Sequence, residues 1–238
     1  ALYSNTTGDD NNAFGRSALN SNTDGCYNTA IGCRSLYSNI SGDHNFAAGQ
    51  QALCKNWGGC YNNAIGTQAL CTNTTGNYNT AIGYIALHSN TTGGCNNAIG
   101  STALRYNTTG DHNQAIGDSA LNCNTTGDCN TAIGYQSLRN NTTGSDNFAV
   151  GGHALECNTT GSFNTALGNK AMTLSLSGNH NFAAGQCALY SNCGGCWNTA
   201  IGLHALCANT TGDENVAIGQ CTLRDNTTGC NNTAIGAF

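Results

Sequence analysis

The sequence predicts an all-β fold, a parallel β-solenoid (β-roll) of fourteen 17-residue coils with two short strands per coil. Three observations carry this reading. The chain divides from Ala1 into 17-residue units without insertion, and fourteen units account for all 238 residues. The unit reads A-L-x-S-N-T-T-G-x-x-N-T-A-I-G-x-x, with position 2 Leu everywhere except at Met172, and with Gly8, Asn11, Ala13 and Gly15 of the first unit recurring in every unit. The composition, with 32 Gly, no Pro and 8% charged residues, excludes an ordinary globular core. It also lacks the Pro, Lys and Glu that usually mark disorder.

A period without insertions gives each unit the same surroundings, the condition for stacked coils that touch only their neighbours. Two fixed glycines and an N-T-T-G turn leave no length for a packed helix pair. Strands are expected around positions 1–4 and 11–14 of each unit. N-T-T-G and G-x-x then form the corners, where Gly supplies positive φ. Positions 3, 4, 9, 10, 16 and 17 vary freely. Coils stacked at roughly 4.8 Å would make the whole chain, residues 1–238, one solenoid domain of about 65–70 Å.

The invariant Asn at position 11 predicts an amide ladder, each side chain bonding the next coil. Its members are Asn11, Asn28, Asn45, Asn62, Asn79, Asn96, Asn113, Asn130, Asn147, Asn164, Asn181, Asn198, Asn215 and Asn232. Leu at position 2 is the surest core residue. Strand alternation puts positions 11, 13 and 15 on one face and 12 and 14 on the other. Positions 12 and 14 compensate in size: Phe46 precedes Ala48, Phe148 precedes Val150 and Phe182 precedes Ala184. They either enter the coil with Leu or form an outer face that another chain covers. Thr, Asn or Gln at position 12 in ten of the fourteen units disfavours a pure core. An outward apolar stripe would imply a partner surface.

A longer period lies over the short one. NISGDHNFAAGQQAL recurs as SLSGNHNFAAGQCAL 136 residues on, and Cys60 and Cys71 match Cys196 and Cys207. Duplication of an eight-unit block explains this and points to a length-tunable array, as in a fibre or stalk.

Fifteen cysteines suit an oxidising, extracellular compartment. Residues 17 apart share a column, and only Cys54 and Cys71 are cysteines so related, which predicts a bridge between adjacent coils. Cys123 and Cys129 flank one N-T-T-G turn and are a candidate bridge, as are Cys193 and Cys196. An odd number leaves at least one thiol free or paired with another chain. C-G-G-C at Cys193–Cys196 has zinc-like spacing but no second ligand pair.

Ten units carry an N-x-[ST] sequon at position 5: Asn5, Asn39, Asn73, Asn90, Asn107, Asn124, Asn141, Asn158, Asn209 and Asn226. Asn140 and Asn231 add two outside that column. These are candidate N-glycosylation sites on a corner, and the competing reading is that N-T-T-G is simply good turn chemistry. Thr at positions 6 and 7 also raises ice binding, which flat Thr rows can provide. Here the two are adjacent in a corner, and the position-12 Thr row is broken by Phe, Asn, Gln and Val.

Seven scattered Lys and Arg exclude a nucleic-acid footprint. No run reaches membrane-spanning length. The chain starts at Ala1 without Met, so a leader would be out of view. No catalytic triad, phosphate loop, metal set or cofactor motif is present; His44, His112 and His180 recur at four-unit spacing as a column trace.

The N-x-A-I-G segment, closest at Asn215-Val216-Ala217-Ile218-Gly219, resembles the head repeats of trimeric autotransporter adhesins, whose strands carry a motif like S-V-A-I-G. The array is also similar to N-T-A-I-G / A-L-x-x-N-T-T-G repeats of bacterial surface and phage or viral tail-fibre proteins. The resemblance implies a parallel β-roll, often trimeric, used for reach and adhesion. The expectation is therefore a non-enzymatic, extracellular structural protein at a cell or virion surface. It would self-associate as a homo-oligomer or head-to-tail filament, and could carry covalent glycans. The alternatives are a stalk that binds a receptor or glycan, and an ice-binding solenoid.

Overall fold

The structure, a computed structural model, describes residues 1–237. The described residues contain fourteen three-residue strands and no helix. The chain forms two compact units. The first comprises Ala1–Ser119 with Asn124–Thr126, and the second comprises Ala120–Cys123 with the chain from Gly127 onward. The first holds β1 (Asn12–Phe14), β2 (Thr29–Ile31), β3 (Phe46–Ala48), β4 (Asn63–Ile65), β5 (Thr80–Ile82), β6 (Asn97–Ile99) and β7 (Gln114–Ile116). The second holds β8 (Thr131–Ile133), β9 (Phe148–Val150), β10 (Thr165–Leu167), β11 (Phe182–Ala184), β12 (Thr199–Ile201), β13 (Val216–Ile218) and β14 (Thr233–Ile235). Within each unit successive strands pair in parallel, one repeat apart: Thr29 lies opposite Phe46, and Thr165 opposite Phe182. Each unit is thus a β-solenoid with a 17-residue coil.

Each coil has one strand, not two. The segment at positions 1–4 is a run of turns, because left-handed residues interrupt it. Leu87 at position 2 has φ 51°, and Ile85, two residues earlier at position 17, has φ 56°. Alternating left-handed and ordinary residues cannot extend into a strand. The conformation costs an L-residue about 1–2 kcal/mol. Burying Leu offsets this by about 1.5–3 kcal/mol. The turn brings positions 1 and 2 inward together, so Ala86 and Leu87 are both fully buried.

Backbone bonds join the coils in both directions. The N–H groups of positions 2, 4, 6 and 12 donate to the next coil, as Leu87 to Ala103, Ser89 to Arg105, Thr91 to Thr108 and Asn97 to Asn113 at 2.8–2.9 Å. Those of positions 10, 15 and 17 donate to the previous coil, as Cys95 to Asn77, Gly83 to Ile65 and Ile85 to Thr67. Coil stacking thereby satisfies the turns as well as the strands.

Gly at position 15 ends each strand. Gly32 has φ +124°, and a Cβ there would lie 2.7 Å from the Gly49 carbonyl oxygen. Both the dihedral and the contact demand glycine. The core between the walls is narrow. It consists of Leu at position 2, Ala at positions 1 and 13, and the two Asn columns at positions 5 and 11.

Candidate functional site

The chemistry of this chain lies in its side-chain columns. At position 11 the ladder is made by side chain to backbone. Asn28 N–H donates to the Asn11 Oδ1 at 3.0 Å, and Asn28 Nδ2 donates to the Gly42 carbonyl of the next coil at 2.7 Å. The same pattern runs through Asn45, Asn62, Asn79, Asn96 and Asn113. In the second unit it continues at Asn147, Asn164, Asn181, Asn198, Asn215 and Asn232. In both units Nδ2 can also bond the preceding Oδ1, as Asn45 does to Asn28 at 3.0 Å and Asn198 to Asn181 at 3.2 Å.

A direct amide-to-amide ladder stands at position 5, where sugar was expected. Asn39 Nδ2 donates to Asn22 Oδ1 at 2.7 Å and to the Gly42 carbonyl at 2.9 Å, so both its hydrogens are used. Asn73, Asn90 and Asn107 repeat this, as do Asn158 and Asn209. Asn39, Asn73, Asn90, Asn107, Asn124, Asn141, Asn158 and Asn209 are all 0% exposed. A glycosyl bond at Nδ2 would replace a ladder hydrogen and put a sugar in the core. The expectation of glycan-bearing Asn on the interior coils is therefore corrected to a structural one. Among the ten, Asn5 is exposed and Asn226 is half-buried.

The Thr residues of the corner divide their tasks. Position-6 hydroxyls donate to the next coil's position-6 carbonyl, as Thr74 to Thr91 and Thr91 to Thr108 at 2.8 and 2.9 Å. Position 7, as at Thr75 and Thr92, is exposed or partly so.

Position 9, read as freely variable, is constrained. Its side chain accepts the position-9 N–H of the preceding coil. Asp9 N–H meets Cys26 Sγ, Cys26 N–H meets Asp43 Oδ1, Asp43 N–H meets Cys60 Sγ, and Cys60 N–H meets Asn77 Oδ1. Ser145, Ser162, Asn179, Cys196, Asp213 and Cys230 do the same in the second unit. The signal was present in the sequence, since position 9 is only ever Asp, Asn, Ser, Cys or Gly.

Position 10 carries exposed stacked rings. Tyr27, His44, Tyr61 and Tyr78 stack with centroids 4.8–5.0 Å apart, and Phe163, His180 and Trp197 stack at 4.9 and 4.0 Å. The coil rise and the preferred ring separation coincide.

Positions 12 and 14 face outward, and Ala at position 13 faces inward, which resolves the two arrangements left open by the sequence. Ile65, Ile99 and Ile116 on β4, β6 and β7 are 36–38% exposed, and Phe46 on β3 is 38% exposed beside Ala48. The size exchange keeps this face level. No charged residue occupies positions 12 or 14 in any unit.

None of the fifteen cysteines is joined in a disulfide. The expected bridges Cys123–Cys129 and Cys193–Cys196 are not formed. Cys196 Sγ instead receives the Asn179 N–H and donates to the Gly194 carbonyl, while Cys193 is exposed at position 6. Cys54 and Cys71 do meet, as a thiol pair. The Cys71 thiol donates to the Cys54 sulfur, and this hydrogen bond, with Arg34 and Lys55 nearby, lowers Cys54 to about 7 against the opposing effect of burial. Cys71 is pushed up by the same hydrogen bond and by burial. His88, one coil beyond Cys71, is held below its ordinary value by burial and then by Arg105 and Lys55.

Glu156 links His153 (2.8 Å) and Arg139 (3.9 Å) on the surface of the second unit. Among the described residues no group of three or more His, Cys, Asp or Glu is placed to hold a metal ion. No helix is long and apolar enough to cross a membrane. No protein-family model matches the chain, and no curated protein is similar to it.

Proposed function

We propose that the chain is a structural repeat protein of an extracellular filament, cell surface or virion surface, and that it self-associates through the outer face of its sheet. The observation that carries this reading is the uncharged face of positions 12 and 14. A level row of Ile at position 14, with Phe-for-small exchanges, offers an apolar stripe beside the Thr, Asn and Gln side chains of position 12, and no charge interrupts it. Two such faces can pack at about 10 Å, as stacked sheets do. The interior supports a mechanical role, because within each unit successive coils are tied by backbone bonds and by the position-11 Asn column, with the position-5 Asn column added in the coils that carry Asn there. The similarity to surface and tail-fibre repeats points the same way.

A second reading, an adhesin or fibre stalk, rests on the stacked rings at position 10, which present aromatic edges to a receptor or glycan. Electron microscopy and analytical ultracentrifugation of the purified chain distinguish the two. Assemblies that persist to micromolar dilution support the structural role. A monomer at all concentrations that is retained on a glycan or receptor array would overturn it in favour of the stalk.

A further inference from the structure

Cys54 and Cys71 occupy position 3 of adjacent coils, the one place in the chain where two thiols are a single repeat apart. The backbone clamps them on both sides. Leu53 N–H donates to the Ala69 carbonyl and Lys55 N–H donates to the Cys71 carbonyl, each at 2.9 Å. These bonds hold the two residues one coil step apart, roughly 4.8 Å, within the Cα range of a disulfide. The members differ in access. Cys71 is 8% exposed, whereas Cys54 is half-buried. Lys55 follows Cys54 directly, and Arg34 is near enough to favour its thiolate.

We infer that this pair is a thiol–disulfide exchange site, with Cys54 as attacking sulfur and Cys71 as resolving sulfur. The substrate class is a low-molecular-weight disulfide. The Cys54 thiolate attacks one sulfur of the disulfide RSSR, forms the mixed disulfide Cys54–SR and expels RS⁻. Cys71 then gives up its proton and attacks Cys54 Sγ, forming Cys54–Cys71 and expelling the second RS⁻. Two protein thiols are oxidised and one RSSR is reduced to two RSH, the released protons being taken up by the leaving thiolates. The lowered proton affinity of Cys54 supplies the nucleophile at neutral pH. The product ties the fourth coil to the fifth. The duplicated block lacks it, because the column neighbours of Cys207 are Tyr190 and Arg224. The inference does not depend on the structural role proposed above.

The test uses the reduced full chain, oxidised glutathione as probe, N-ethylmaleimide as quench and peptide mapping by mass spectrometry. Cys54 should react roughly threefold to tenfold faster than exposed, unpaired thiols such as Cys95. Two maleimide labels should then be lost together as a Cys54–Cys71 linkage appears. In Cys71→Ser the Cys54–glutathione adduct should accumulate. In Cys54→Ser, Cys71 should stay unmodified until the chain is unfolded. Glutathione adducts spread evenly over the exposed thiols with no Cys54–Cys71 linkage in the wild-type chain would overturn the assignment. So would equal adduct formation in the two single variants. The wild-type linkage is read independently of whether either variant folds.

Discussion

Asn158 and Ser175 follow one another in the position-5 column, and the Asn158 Oδ1 and Ser175 Oγ are both buried without a hydrogen-bond partner. Every other unit has Asn where the eleventh has Ser. The serine hydroxyl is too short to reach the preceding amide, and Asn192 Nδ2 bonds the Gly195 carbonyl but not the serine, so the ladder breaks on both sides of Ser175. Ser175→Asn should restore it. A restored bond and two satisfied atoms are worth about 1–3 kcal/mol. That is a rise of a few degrees in Tm for a chain of this size, about 2–4 °C per kcal/mol. Calorimetry of the two proteins measures it, and an unchanged or lower Tm would show that the ladder contributes nothing at this step.

Removing a rung should have the opposite effect. Asn90 Nδ2 bonds Asn73 Oδ1 and the Gly93 carbonyl, and its own Oδ1 accepts from Asn107. Asn90→Ala strands all three partners in the core, at about 1–3 kcal/mol each before relaxation. Local opening, read by hydrogen exchange at Asn73 and Asn107, should rise by at least tenfold while distant coils are unaffected.

Sequon use follows from the same column. When the chain is made in a glycosylating host, the folded, protease-resistant fraction should carry no N-linked sugar at Asn39, Asn73, Asn90 or Asn107, all of them fully buried. Occupancy should be confined to end-coil positions such as Asn5. Glycopeptide mapping decides; a folded chain glycosylated at Asn90 would contradict the burial described here.

Stability should peak at mildly alkaline pH. Cys54 is depressed to about 7 in the folded state, so its contribution is present above its unfolded value and lost as pH falls through 7. Cys71 is raised, so its contribution is complete below the unfolded thiol value, near 8.5, and is lost as pH rises beyond it. On the acid side His88 is depressed, so the unfolded chain binds a proton that the folded chain refuses as pH falls below about 6.5. A denaturation series from pH 5 to 10 should show the maximum between about 7 and 8.5. The double variant Cys54→Ala with Cys71→Ala should flatten its alkaline flank.

The outer face makes a separable prediction. Ile65→Lys with Ile99→Lys places two ammonium groups on a face without charge, while both side chains already point outward. Self-association should weaken by at least tenfold in sedimentation equilibrium, with Tm changed by no more than about 2 °C. Loss of folding instead of loss of association would mean that these side chains serve the core.

Much of this architecture is legible in the repeat. Leu at position 2, Gly at position 15 and the parallel one-repeat register follow from residues that never change. The second strand was misread for a physical reason. Left-handed φ at position 2 is carried by Leu19, Leu53 and Leu87, residues that give no turn signal, because the neighbouring coil imposes the conformation. The position-11 ladder is present as expected, with Asn45 Nδ2 on Asn28 Oδ1 at 3.0 Å, but the position-5 column was misread. Asn39 and Asn45 look alike in sequence, and only the stacking shows that the sequon residue forms a second buried ladder. The acceptor column was missed at Cys26 and Cys60, where sulfur stands in for a carboxylate or amide oxygen.

The mixed direction of the inter-coil bonds has an electrical consequence. In an α-helix all peptide dipoles point one way and sum to about half a charge at each end. Here Leu87, Ser89 and Thr91 point their N–H groups forward, while Gly83, Ile85 and Cys95 point theirs back. The backward groups offset part of the forward dipole within each coil. A stack built this way builds up less field per coil along its axis than aligned peptides would, so its termini draw ions less strongly and resist the addition of another coil less.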